Sequence, residues 1–263
     1  MSVQATEHPK AHHTKPPNMV YAAAELPRAL FELLSLLPAH LLLARAPRGD
    51  GHPVVTLPGY RASDSSMNIM RSYLERWGYD PHPWGLGTNL GVGNDRVNYE
   101  DRFVEVLERI VEHCGEPTTL IGWSQGGVIA RQAAKARPEL VRHVVTMGSP
   151  IADTPEATTI WRIFRRTSPQ EITPELLEIL REIATPVHGV RCTCIYSQTD
   201  GIVAPYLAQD WVSPVAENIR LYTSHFGMAV NPIVLFVIAD RLAQTEENWR
   251  PFTRNILERL LPH

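Results

Sequence analysis

Cysteine is scarce in this chain, charge of either sign is not in excess, and no apolar run is long enough to span a bilayer. Cys114, Cys192 and Cys194 are the only thiols in 263 residues. An odd number with no second Cys pair builds neither a disulfide framework nor a zinc ribbon. Cys192-x-Cys194 lies instead in a strand-like run, where alternate residues share one face. A reducing, cytoplasmic setting is expected. Lys plus Arg number 25 against 28 Asp plus Glu, for a net charge of −3. That balance offers no electrostatic ground for a nucleic-acid partner or an anionic membrane surface. The most apolar stretch, Ala29 to Ala44, is short and is interrupted by Pro38, so no integral membrane segment is expected. Four glycines stand between Gly85 and Gly93, but no Lys-Ser or Lys-Thr pair follows. That run is an ordered loop and no phosphate cradle.

What is present divides into three parts. Residues 1–17 are polar, with prolines and His8, His12 and His13, and lack the charged-then-apolar pattern of a signal peptide. They read as a disordered leader. Residues 18–50 form a helical segment in which Leu26, Leu30, Leu33, Leu34, Leu37 and Leu41 recur at helical spacing. Pro27 and Pro38 divide it into two pieces packed outside the domain, where the leucines also offer an apolar surface for substrate entrance or peripheral lipid contact. Residues 51–263 alternate strands and helices, which predicts one α/β domain with a mostly parallel sheet covered on both faces. Predicted strands include Val54–Leu57, His143–Met147, Val190–Tyr196 and Ile219–Tyr222. Ser65 or Ser66 is expected to cap a helix with Met67, Met70, Leu74 and Trp77 as its buried stripe, and Asn231 to cap a later one opening on Pro232. Asn98 should cap the helix before the central strand, and a final helix should start near Pro251. Residues 151–186 break the alternation and read as an inserted helical lid carrying Trp161, Ile163 and Phe164.

The chemistry centres on Gly122-Trp123-Ser124-Gln125-Gly126. It follows the apolar run Thr118 to Ile121 and precedes a helix through Ala136. Strand, tight turn and helix are the context of a nucleophile elbow, where the glycines leave room for a serine at a sheet edge. A serine hydroxyl needs a base to take its proton. Of eleven histidines, only His225 directly follows a strand late in the chain, whereas His143 and His188 start strands and belong at the opposite edge. The imidazole needs a carboxylate partner. Asp200, in a Thr-Asp-Gly turn after the preceding strand, is the first candidate, and Asp153 is its rival. Oxyanion donors are expected from the backbone amides of Gln125 and Tyr60, the latter in Pro58-Gly59-Tyr60 after the first strand. Trp123, Trp161 and Phe164 are the candidate substrate contacts.

These residues make the chain resemble the serine α/β-hydrolase superfamily, particularly its bacterial lipase- and esterase-like members. Leu57-Pro58-Gly59-Tyr60, Gly85-Leu86-Gly87-x-Asn89-Leu90-Gly91, the Ser124 elbow, Thr146-Met147-Gly148-Ser149-Pro150, Thr199-Asp200-Gly201 and Ser224-His225 carry the likeness, which spans roughly Gly51 to Ala243. Pro58 departs from the pattern, standing where many members have histidine. The resemblance implies an α/β-hydrolase fold and acyl transfer to water through Ser124, Asp200 and His225, with no cofactor and no metal. An apolar small-molecule ester is the expected substrate. Acyl transfer to another acceptor, thioester hydrolysis, or ligand binding without catalysis on the same fold are the competing expectations.

Overall fold

The computed structural model describes residues 17–91, 99–152, 182–245 and 247–253. Six parallel strands form one sheet in these residues: β1 (Pro53–Leu57), β2 (Asp80–Pro83), β3 (Thr118–Trp123), β4 (Val141–Met147), β5 (Arg191–Ser197) and β6 (Ala216–Leu221). Their order is β2-β1-β3-β4-β5-β6. The chain starts in β1, steps to the edge at β2, then crosses back past β1 to β3 and continues outward. Connections after β1 and β3 therefore diverge, leaving a crevice at the C-terminal ends of these two strands.

The central strands are almost wholly apolar because both of their faces are buried. Val54, Ile121 and Val145 enter one core, and their neighbours Val55, Leu120 and Val144 enter the other. The first core is closed by α2 (Glu25–Leu43), α3 (Asn68–Trp77) and α6 (Pro232–Leu242). The second is closed by α4 (Tyr99–Cys114) and α5 (Gln125–Ala136). The expected stripe is fully buried, with Met70, Leu74 and Trp77 on α3 and Met67 in the turn that leads into it. Each such side chain contributes roughly 1.5–3 kcal/mol by leaving water.

Local details differ from expectation in three places. Ser65 and Ser66 do not cap α3: they lie within a single 3-10 turn, Asp64–Met67, that leads into it. The N-terminal segment breaks at Ala24, after the short α1 (Met19–Ala23), and neither proline interrupts α2. Pro27 falls in the first turn, where backbone N–H groups have no helical partner anyway. Pro38 removes one N–H from the ladder, yet the helix runs on to Leu43 because Leu36 and Leu43 remain anchored in the core. As one piece, Glu25–Leu43 has 19 residues and a mean hydropathy of 1.4, enough by length and composition to cross a membrane. Against that reading, its inner face carries two carboxylates, Glu25 and Glu32, that are only 1% and 8% exposed and bonded to the domain. Asn98, residues 153–181 of the expected lid and the residues after Thr253, where most of the expected final helix falls, lie outside the described residues; Pro251 to Thr253, the expected start of that helix, are not helical.

Candidate active site

Ser124 stands between the end of β3 and the start of α5 with φ 53° and ψ −121°. This is a costly backbone conformation for a residue with a side chain, and only a tightly determined turn sustains it. The determination comes from close packing. A Cβ on Gly122 would lie 2.3 Å from the Gly127 Cα, and one on Gly126 would lie 2.4 Å from the Leu57 carbonyl oxygen. The Ser124 N–H donates to the Met147 carbonyl (2.8 Å), which ties the turn to the end of β4.

His225 follows β6, and Asp200 follows β5, so both loops open at the same sheet edge as Ser124. The three side chains form one hydrogen-bonded chain. The Ser124 hydroxyl and His225 Nε2 are 3.0 Å apart, and His225 Nδ1 is 2.8 Å from Asp200 Oδ2. In the tautomer that these partners select, Nδ1–H donates to the carboxylate and Nε2 accepts from the serine. The second Asp200 oxygen accepts the N–H groups of Ile202 (2.7 Å) and Val203 (2.8 Å). Ser124, Asp200 and His225 are 5%, 3% and 1% exposed. Burial pulls the His225 pKa down. The charge of Asp200, its hydrogen bond and the nearby Glu25 carboxylate outweigh burial, and the net shift is upward from 6.5.

His143 is excluded as the base by position. It sits near the start of β4, bonded to Thr193 Oγ1, and burial among arginines pushes its pKa down to about 3. Asp153, the rival acid, and the candidate contacts Trp161 and Phe164 lie outside the described residues.

Gln125 opens α5, so its amide points out of a helix N-terminus. Tyr60 follows Gly59, where a Cβ would lie 3.3 Å from the Ser124 Cβ, so this loop runs directly beside the serine. Neither amide has a hydrogen-bond partner among the described residues. Asn89 fixes the loop: its Nδ2 donates to the Pro58 carbonyl (2.8 Å), and its carbonyl accepts the Arg61 N–H (2.6 Å). The glycine-rich run is thus the brace behind Pro58-Gly59-Tyr60. Trp123, expected to touch substrate, has its indole N–H committed to the His225 carbonyl (3.0 Å), with the two rings 6.0 Å apart.

Asp80, His82 and Cys114 lie together with metal-ligand chemistry, but Asp80 pairs with Pro53 at the start of β1. That is the sheet edge opposite Ser124. A cavity lined by Ile151, Ala152, Ala184 and Gln209 to Val212 includes none of Ser124, Asp200 and His225.

A family model described as the alpha/beta hydrolase fold matches residues 42–177, just over half of the chain. This chain belongs to the alpha/beta hydrolase family. Among solved structures, this hydrolase is similar to a Paleococcus ferrophilus monoacylglycerol lipase at 13% identity, with a TM-score of 0.54 over 75% of this chain and 96% of that one. A structure of LipS or LipT, two metagenome-derived lipolytic enzymes, gives 16% identity and a TM-score of 0.53 over 74% of this chain and 93% of that one. A thioesterase domain from the curacin biosynthetic pathway gives 12% identity and a TM-score of 0.52 over 75% and 93%. At such identities the likeness is one of fold. A comparison with curated protein sequences finds no match.

Sequence reasoning missed the residues of this hydrolase that brace the two late loops. Glu25, Arg28 and Glu32 on α2 reach the backbone beside Asp200 and His225. In sequence they are ordinary charges on an apolar helix. The only signal is that they share one face at spacings of three and four, on the side away from most of the leucines.

Proposed function

We propose that this protein hydrolyses carboxylic esters of apolar acyl groups through a Ser124, His225, Asp200 triad. The observation that carries the reading is the unbroken, buried hydrogen-bond chain from the Ser124 hydroxyl through His225 to Asp200. Ser124 Oγ attacks the ester carbonyl while His225 Nε2 takes its proton, and the imidazolium then protonates the departing alcohol. Water activated by His225 hydrolyses the acyl-enzyme. Asp200 holds the tautomer and stabilises the cation. The amides of Gln125 and Tyr60 donate to the oxyanion. Lipolytic enzymes and a thioesterase domain share the fold, which supports acyl-group chemistry.

The test is turnover of a p-nitrophenyl ester series by purified protein. Ser124→Ala should fold normally and lose at least about a thousandfold in kcat. A phosphonate ester should add to wild type on Ser124 alone. Undiminished turnover by folded Ser124→Ala would end the proposal.

Two settings belong to the same reading. The outer face of α2 exposes Leu26, Leu30, Phe31, Leu34, Leu37 and Leu41, a patch that supports peripheral contact with a lipid surface. Vesicle sedimentation tests it. Three free thiols, Cys192 and Cys194 fully buried, support a cytoplasmic location, checked by cell fractionation.

A further inference from the structure

Glu25, Arg28 and Glu32 lie on one face of α2, and their polar atoms are spent on the loops that hold the acid and the base. Arg28 donates from Nη1 to the Thr199 carbonyl (2.6 Å) and from Nη2 to Thr199 Oγ1 (2.7 Å). Glu25 Oε1 accepts the Gly201 N–H (2.8 Å). The residues on both sides of Asp200 are therefore held by the helix. Glu25 Oε2 accepts the Phe226 N–H (3.1 Å), and Glu32 Oε1 accepts the Ser224 N–H (2.7 Å). The residues on both sides of His225 are held as well. Glu32 Oε2 also accepts the hydroxyls of Thr223 (2.7 Å) and Ser224 (3.1 Å).

The backbone is shaped for this approach. A Cβ on Gly201 would lie 2.4 Å from the Ala22 nitrogen, and one on Gly227 would lie 1.8 Å from Glu32 Oε2. A helix that merely covered a core would do so with apolar residues, because burying carboxylates is expensive. Here four carboxylate oxygens meet backbone or hydroxyl donors from two loops that leave β5 and β6, and β6 is the edge of the sheet.

We propose that α2 is a clamp that sets the distance and orientation of His225 relative to Asp200 and Ser124, with Glu25, Arg28 and Glu32 as positioning residues. The proposal rests on the hydrolase reading above. Misplacing a reacting group by about 1 Å costs on the order of a hundredfold in rate, so a loosened clamp should appear in kcat. The charged groups that act on His225 are Asp200 from the loop after β5 and Glu25 from α2, while Arg28 and Glu32 hold the loops at Thr199 and Ser224.

Glu25→Gln, Glu32→Gln and Arg28→Leu should each lower kcat on a water-soluble p-nitrophenyl ester by about tenfold or more, with KM within about twofold of wild type. His40→Gln, exposed on the same helix, should leave kcat unchanged. Glu25→Gln removes a negative charge near the imidazole, so the acidic limb of its kcat/KM profile should move to lower pH. The downfield proton resonance of His225 Nδ1–H should broaden in all three clamp variants. Folded variants that keep the wild-type kcat, acidic limb and resonance would overturn the clamp. Should the variants unfold, amide exchange in the wild type decides. The Gly201, Ser224 and Phe226 amides should be as protected as those of β3 and β4, and rapid exchange there would overturn the clamp too. A wild type that turns over no ester and takes no phosphonate on Ser124 fails the hydrolase reading instead, while the resonance and the exchange still judge the clamp.

Discussion

At the scale of single residues, the titration of His225 is where structure meets rate. Protonated His225 cannot accept the Ser124 proton, so activity falls as pH drops through its pKa. Burial acts to lower that pKa, but Asp200 and Glu25 raise it further than burial lowers it. The acidic limb of kcat/KM should therefore be centred above about 6.5, the ordinary histidine value. A profile measured between pH 5 and 9 with its limb clearly below that value would contradict the arrangement. The same sign governs stability. A raised folded-state pKa means that the protonated His225–Asp200 pair stabilises the fold below about 6.5, and that this contribution is lost as pH rises through the folded value.

Among the elements, α6 shows how a terminus can hold both a core and a loop. Asn231 Oδ1 accepts the N–H groups of Ile233 (2.8 Å) and Val234 (3.3 Å), while Nδ2 donates to Thr223 Oγ1 (3.3 Å) on the strand side of His225. Pro232 takes the first helical position, where its missing N–H costs nothing. Asn231→Ala should destabilise the protein by about 1–2 kcal/mol in denaturant unfolding, the usual cost of a lost N-cap. An unchanged midpoint would mean that water replaces the cap. The strain at Ser124 is likewise an element property. Gly122, Gly126 and Gly127 bring β3 and α5 so close that the serine between them has no relaxed alternative.

For the whole molecule, α2 is the one described helix that turns a broad apolar face to solvent. Its inner face cannot enter hydrocarbon without taking Glu25 and Glu32 from their partners in the domain, which argues that the helix lies along a surface and does not cross it. Wild type should sediment with phosphatidylcholine vesicles, and a Leu30→Ser/Leu34→Ser/Leu37→Ser triple variant should sediment far less. Equal partitioning of the two proteins would remove lipid from the proposed function.

The sequence by itself determined the parallel sheet, the elbow and the histidine that faces it. Apolar runs bounded by turn residues specify doubly buried strands. The Gly122-x-Ser124-x-Gly126 spacing has one comfortable geometry between a strand and a helix. His225 could be picked out because only the loops after strands reach the edge where Ser124 lies. Each is a local signal, written in the residues immediately around it. Asp200 was legible as a candidate, but its preference over Asp153 rested on position alone. It is the fold that brings Asp200 within 2.8 Å of His225. Pro38 looked like a break because helix propensity is local, whereas burial of Leu36 and Leu43 on its two sides carries the helix through. Trp123 is a candidate substrate contact because it neighbours the nucleophile, and the folded chain adds the bond from its indole N–H to the His225 carbonyl. The roles of Glu25, Arg28 and Glu32 were decided entirely by tertiary structure. Their partners lie roughly 170 to 200 residues away. No pattern in the chain encodes a hydrogen bond to a backbone N–H at that distance, because every residue but proline offers the same donor.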